Sequence, residues 1–284
     1  MATFRFRNLL LGAALFGAAT LPAQAATAHK TVSGIYPLAA NGTLDLSNVN
    51  GSIKIETWDR AEVQVSADKI VKSPSEDEAN KTLARLKVIV DAKPNRVKVE
   101  AQYPRGTNGL FSWLSGRGVE STKVEFIVRI PREADLRIDT VNGDITLENG
   151  KGDLRLTTVN GTVSASDSDG TVTLESTNGN VKAHHTRGSL EASTVNGRVE
   201  AELIDLGSGK TSLESVNGGI TLRLPASARA NLSASTVNGR VNCELDVAGT
   251  KKRTRVEGTL NGGGPDIEIS TVNSSVDIVG LDAK

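Results

Sequence analysis

His184-His185 is the chain's one histidine pair, and paired histidines are the first place to look for a bound metal. Neighbouring strand residues point to opposite faces, so these two imidazoles do not converge on one ion. His184 reads as an outward polar residue at a strand end. Asp167-Ser168-Asp169-Gly170 resembles part of a calcium loop. A calcium roll, however, repeats its Asp in every turn. The matching slots here hold Val, Leu or Ile, so a single acidic turn reads as turn chemistry. Cys243 is the only cysteine, so no internal disulfide forms. Its repeat position matches Ala165 and Ala201, which predicts a buried small hydrophobe. Glycan hydrolysis by carboxylates needs acids gathered on one face. Residues stacked 18 apart give three rows: Asp144, Thr162, Asn180, Arg198; Glu148, Ser166, His184, Glu202; and Thr146, Ser164, Lys182, Glu200. These rows are mixed and dilute, as on a solvated face. There is no Ser-His-Asp set, Gly-rich phosphate loop or Cys-His cluster. The residues therefore predict a non-enzyme without metal or cofactor. A carbohydrate-active β-helix enzyme is the alternative, and three carboxylates clustered on one face would favour it.

The elements that carry these residues follow a beat. Asn142-Gly143, Asn160-Gly161, Asn178-Gly179 and Asn196-Gly197 are 18 residues apart, and Asn217-Gly218 and Asn238-Gly239 follow at steps of 21. Asn50-Gly51 and Asn273-Ser274 read as outlying copies. Such a period marks a repeat architecture whose units bury their apolar faces against one another. From Pro131 to Glu202 the chain divides into eight nonads, and positions six and eight are apolar in each, as in Leu136/Ile138, Ile145/Leu147 and Leu154/Leu156. The residues between them are polar. That is period-2 alternation, a short strand with one buried face. Gly fills position four in seven of the eight nonads, where a turn calls for positive φ.

The predicted fold is all-β: a β-solenoid, or β-helix, of 18-residue coils with two short strands per coil. An asparagine ladder would run along one corner. An antiparallel β-meander is the alternative, because Asn-Gly is also the strongest hairpin signal. Equal unit lengths favour stacked coils. Leu203–Glu214 and Leu224–Ser235 are each a nonad plus three, which predicts loops bulging from one edge. Aromatics are only 3% of the chain, enough for a thin aliphatic stack and too few for a thick sandwich core.

Three regions are expected. Residues 1–25 read as a cleaved signal peptide: Arg5 and Arg7, then an apolar run from Leu9 to Leu21, then Ala23-Gln24-Ala25. Residues 26–130 form an N-terminal β-rich part, and 131–284 the solenoid repeats. In the former, Ser75-Glu76-Asp77-Glu78 is a capping box, with Ala79, Leu83 and Leu86 at helical spacing. One amphipathic capping helix is expected at about Glu76 to Leu86. The leader predicts a periplasmic or secreted protein with no transmembrane segment in the mature chain. Lys and Arg total 33, as do Asp and Glu; losing Arg5 and Arg7 leaves 31 against 33. Such a balance offers no basic field for nucleic acid.

Val49-Asn50-Gly51-Ser52-Ile53-Lys54-Ile55, then Trp58-Asp59-Arg60 and Val63-Gln64-Val65, are similar to the start of the DUF4097 family. So are Phe126-Ile127-Val128-Arg129-Ile130-Pro131, Leu136-Arg137-Ile138 and Thr140-Val141-Asn142-Gly143-Asp144-Ile145. The resemblance runs from about Ser33 to the C-terminus. It implies an extracytoplasmic, adhesin-like β-repeat protein without known catalytic residues, some relatives being tied to envelope stress. The expected partner is a cell-envelope polymer or protein. Phe111, Trp113 and Leu114, in a Gly-bounded segment, and Trp58 are the candidate interaction residues. Phe111 and Trp113 read first as a cap on the solenoid end and second as an aromatic anchor.

Overall fold

A computed structural model describes residues 26–104 and 121–281. The leader and the Phe111/Trp113/Leu114 segment lie outside the described residues. Strands β1 (Ala26–Pro37), β2 (Thr43–Ser47), β3 (Ile53–Trp58) and β4 (Glu62–Ser73) precede helix α1 (Glu76–Arg85). After it come β5 (Lys87–Lys93), β6 (Arg96–Gln102), β7 (Ser121–Pro131), β8 (Asp135–Asn142), β9 (Ile145–Glu148) and β10 (Lys151–Asn160). Next are β11 (Val163–Ser166), β12 (Asp169–Asn178), β13 (Val181–Asn196), β14 (Val199–Asp205), β15 (Thr211–Ser215) and β16 (Ile220–Pro225). The last are β17 (Ala230–Thr236), β18 (Val241–Cys243), β19 (Ala248–Lys252), β20 (Arg255–Leu260), β21 (Asp266–Thr271) and β22 (Val276–Leu281).

The architecture is a β-solenoid. Along the middle, alternate strands stack in parallel: β8 on β10 on β12 on the second half of β13, and β9 on β11 on the first half of β13 on β14. The register is the repeat itself, with Asn142, Asn160, Asn178 and Asn196 in line. That pairing settles against the meander. Among the described residues, antiparallel pairs occur only towards the two ends, as in β1–β4, β5–β6 and β17–β20. Positions six and eight face inward, and Leu154, Leu156, Val163, Ala165, Val172 and Leu174 are all fully buried. Parallel stacking puts each aliphatic side chain on its counterpart one coil away, so short side chains suffice to fill the core.

At both ends spatial order departs from chain order. The coil β2–β3 lies between β6–β7 and β8–β9. The final coil β21–β22 lies between β15–β16 and β17–β18. Asn273 is therefore not an outlying copy but an interior member, placed between Asn217 and Asn238. Cys243 keeps its expected column, beside Ile278. It is only half-buried, because β18 ends that stack with one parallel neighbour. Burial still pushes its thiol pKa up.

Helix α1 begins as its sequence suggests. Ser75 Oγ accepts the Glu78 N–H at 3.3 Å, and three acids occupy the first turn. Its buried face, Ala79, Thr82 and Leu83, packs on β1 and β4 at the N-terminal end of the stack. The two three-residue insertions emerge on one edge. Leu206, Gly207, Ser227, Ala228, Arg229 and Pro265 there border a cavity of about 330 Å³.

Candidate interaction surface

Most coils turn one corner with Thr or Ser, then an outward residue, Asn and Gly; Asn48 takes the first place in the β2–β3 coil and Ser274 the last in the β21–β22 coil. The hydroxyl points inward: Thr158 Oγ1 donates to the Gly143 carbonyl at 3.0 Å, Ser176 Oγ to Gly161 at 2.9 Å and Thr194 Oγ1 to Gly179 at 2.9 Å. Ser215, Thr271 and Thr236 repeat this contact towards the C-terminal end. Thr140 breaks the row. The Gly51 carbonyl that it would reach takes Asn48 Nδ2 at 3.2 Å instead, and Thr140 Oγ1 is left buried without a partner. This inner hydroxyl ladder was readable in the recurring Ser/Thr two residues before Asn.

The asparagines form the expected ladder on the outside. Nδ2 of Asn160 donates to Oδ1 of Asn142 at 2.7 Å, Asn178 to Asn160 at 3.0 Å, and Asn196 to Asn178 at 2.7 Å. The row continues through Asn217, Asn273 and Asn238 at 2.8, 2.8 and 3.0 Å. At the other end Asn142 donates to Asn50 at 2.7 Å, and Asn50 Nδ2 ends on the Thr122 carbonyl at 3.2 Å. The Tyr103 hydroxyl closes that end, 2.8 Å from both Asn48 Oδ1 and the Asn50 carbonyl. Burial raises its pKa to about 12.

The corner glycines serve mainly through size. A Cβ on Gly143, Gly179, Gly197 or Gly218 would collide with the carbonyl oxygen of the glycine one coil before it, and one on Gly239 with that of Ser274. None of these five has the positive φ expected from a turn glycine. Positive φ occurs at Gly51 and Gly161 of this corner, and at Gly152, Gly170 and Gly188 of the opposite corner. There Asn149, Asp167 and His185 also adopt the left-handed region, which Asn, Asp and His tolerate best. His185 stands between Asp167 Oδ1 (3.4 Å) and Glu202 Oε1 (3.0 Å).

Beside the asparagine ladder runs a row of outward side chains: Val141, Val159, Thr177, Val195, Val216, Val272 and Val237. The valines are 38–41% exposed, except Val237 at 68%. Steps along such a row are about 4.8 Å. No formal charge belongs to it. Each asparagine inside the row uses one N–H and one lone pair in the ladder and keeps one of each. The corner is thus a rigid strip, apolar on one side and amide-lined on the other. Towards the other end of β3, Glu56 meets Lys54 at 2.9 Å and Arg129 at 3.0 Å, and both hydrogen bonds keep its pKa low. Among the described residues no cluster of His, Cys, Asp and Glu could hold a metal ion, and no helix is long and apolar enough to cross a membrane.

Trp58 lies apart from the corner strip. Its Nε1 donates to the Glu62 carbonyl at 2.8 Å, across the β3–β4 turn, and the Arg60 guanidinium stands 5.0 Å over the ring.

A family model described as Toastrack DUF4097 matches residues 135–279. The chain belongs to this family. The Toastrack match begins at β8 and so spans the sequential coils and the intercalated last one. Among solved structures, the chain is similar to a "putative cell adhesion protein" from Clostridium sporogenes, at 14% identity, 89% of this chain, 100% of that chain and TM-score 0.41. It is also similar to a "putative adhesin" from Bacteroides fragilis, at 12% identity, 89% and 97% coverage and TM-score 0.34. A "putative lipid binding protein" from Parabacteroides distasonis shows 10% identity, 89% and 97% coverage and TM-score 0.34. No curated protein matches.

Proposed function

We propose that this Toastrack protein is a non-catalytic, adhesin-like binding protein of the cell envelope, exported through its leader. Its corner strip would lie along an envelope polymer or protein. The observation that carries this reading is the unbroken eight-asparagine ladder flanked by exposed valines. An exposed apolar row on a folded surface, interrupted here by Thr177, is a mark of an interaction site. Its spacing is fixed by strand stacking, so it presents a repeated motif to a repeated ligand at little ordering cost. Phe111, Trp113 and Leu114 are proposed as a second contact.

Co-sedimentation of the purified protein with insoluble envelope polymer tests this reading. Wild type should pellet, V159K/V195K/V216K should stay in solution with its melting temperature preserved, and F111A/W113A should pellet less. A triple variant that pellets like wild type would remove the strip from the proposal. Export is tested by N-terminal sequencing of protein from the extracytoplasmic fraction, which should begin at Ala26.

A further inference from the structure

The inward face of β4 runs Val63, Val65, Ala67, Lys69, Val71. Lys69 therefore occupies a core slot, and it is only 8% exposed. Its Nζ donates to the carbonyls of Leu86 at 2.9 Å and Leu83 at 3.5 Å, where α1 ends. The negative end of the helix dipole suits an ammonium. These bonds use two of its three donors. The neighbouring Asp68 pairs on the other face, with His29 and Thr31. Lys30, the cross-strand partner of Lys69, adds a second positive charge. Desolvation, and then Lys30, hold the Lys69 pKa below the ordinary lysine value. A buried ion without a countercharge is costly.

Beside Lys69 lies a cavity of about 310 Å³. It exists because, among the described residues, β1 and β5 are the outermost strands here and each pairs on one side only. Helix α1 packs on β1 and β4 and leaves the rest of the gap towards β5 open. Val32, Val65, Ala67, Leu86, Val88 and Val90 supply its apolar lining, and Tyr36 folds over Gly34 to make one wall. Among the described residues, Lys69 and Lys87 are the only charged ones that line it. Ligand pockets of roughly 300–1,000 Å³ are typically apolar with a few placed polar groups.

We propose that this cavity binds a free single-chain fatty acid, with the carboxylate on Lys69 Nζ and the alkyl chain along the valine-lined walls. Charge complementarity selects the occupant. A carboxylate supplies the countercharge that Lys69 lacks, and a charge-assisted hydrogen bond for its remaining donor. The aliphatic walls suit methylene groups and offer little to a sugar.

Calorimetric titration of the full chain with octanoate, decanoate and 1-decanol tests the proposal. Decanoate should bind saturably, one per chain. Each added methylene should tighten binding about fourfold. K69M should weaken decanoate at least about tenfold while leaving 1-decanol within about twofold. V88F, which fills the cavity, should abolish both with an unchanged melting temperature. If K69M does not fold, the chain-length series and V88F decide the matter. Absence of saturable decanoate binding to wild type overturns the proposal. So does equal loss of decanoate and decanol in K69M, which would make Lys69 a staple for α1 and nothing more. None of these readouts depends on the corner strip, so this proposal and the envelope-binding one fail separately.

Discussion

In the middle of the stack, from β10 to β14, every coil lies against the coils before and after it in sequence. At the ends the chain loops back: β2–β3 is held between β6–β7 and β8–β9, and β21–β22 between β15–β16 and β17–β18. The two regions use the same corner chemistry, and the asparagine ladder runs through both without a break. The difference lies in how far contacts reach along the chain. A sequential stack adds coils one by one, as repeat proteins do. An intercalated coil ties a distant segment to both of its neighbours, so the end cannot fray without releasing it. Intercalation also protects open edges, which stacked strands otherwise expose to further pairing.

The largest expected effect comes from stopping the chain after Pro265. The fully or nearly buried Ile267, Ile269, Val276 and Ile278 would be lost. At about 1.5–3 kcal/mol each the deficit is on the order of 6–12 kcal/mol, comparable with the stability of a whole domain. Amide exchange should show β17 and β18 unprotected, although both strands remain in the chain. Native-like protection there would mean that the last coil is an addition rather than a wedge.

Next in size is a contrast between glycines. In Gly179→Ala the new methyl meets the backbone carbonyl of Gly161, which cannot swing aside. A loss of about 3 kcal/mol in denaturant melts is expected. Gly280 lies in the last strand, with Leu245 Cδ2 the nearest atom at 3.6 Å, so Gly280→Ala should stay within about 0.5 kcal/mol. Equal losses at both sites would undo the steric account of the middle corners.

Tyr103 closes the N-terminal end of the ladder. Its folded pKa, about 12, lies above the ordinary tyrosine value of 10.0. Its contribution is therefore fully present below pH 10 and lost as pH rises through about 12. Wild type should lose up to roughly 2 kcal/mol across that window, and Y103F should show a flatter profile. The same slope in both would assign alkaline sensitivity elsewhere.

The smallest difference concerns the ladder. Asn178 donates to Asn160 and accepts from Asn196, whereas Asn238 has only its bond to Asn273. With about 1 kcal/mol per net hydrogen bond, Asn178→Ala should cost about twice as much as Asn238→Ala in thermal melts. A reversed order would show that exposed ladder bonds add little beside the inner Thr and Ser hydroxyls.

Much of the corner was legible in the chain. Equal spacing of Asn142, Asn160, Asn178 and Asn196 predicts both the parallel register and the amide ladder, because stacking works only between coils of equal length. Alternation at positions six and eight predicts the buried faces, and Ser75 with Glu78 predicts where α1 starts. The expected positive φ is met at Gly152, Gly161, Gly170 and Gly188, but at Gly143, Gly179 and Gly197 the need is for small size, which the turn reading did not include. Close approach of two backbones involves a second coil, which no single turn reveals. Lys69 was overlooked for a similar reason: its alternation with Val65, Ala67 and Val71 marks an inward slot, but only the fold brings helix carbonyls to its Nζ.

The sequence by itself determined the coil, since strand alternation and corner residues act over a few neighbouring residues. Tertiary structure alone decided which coils touch. Asn217 finds Asn273 rather than Asn238 because all three corners present the same groups, and local chemistry does not tell them apart. The choice rests on the connections. β20, running antiparallel beside β17 and paired on its other side with β19, turns the chain back so that β21 enters between β15 and β17. The cavity beside Lys69 has the same origin, in sheet edges that one helix does not wholly cover.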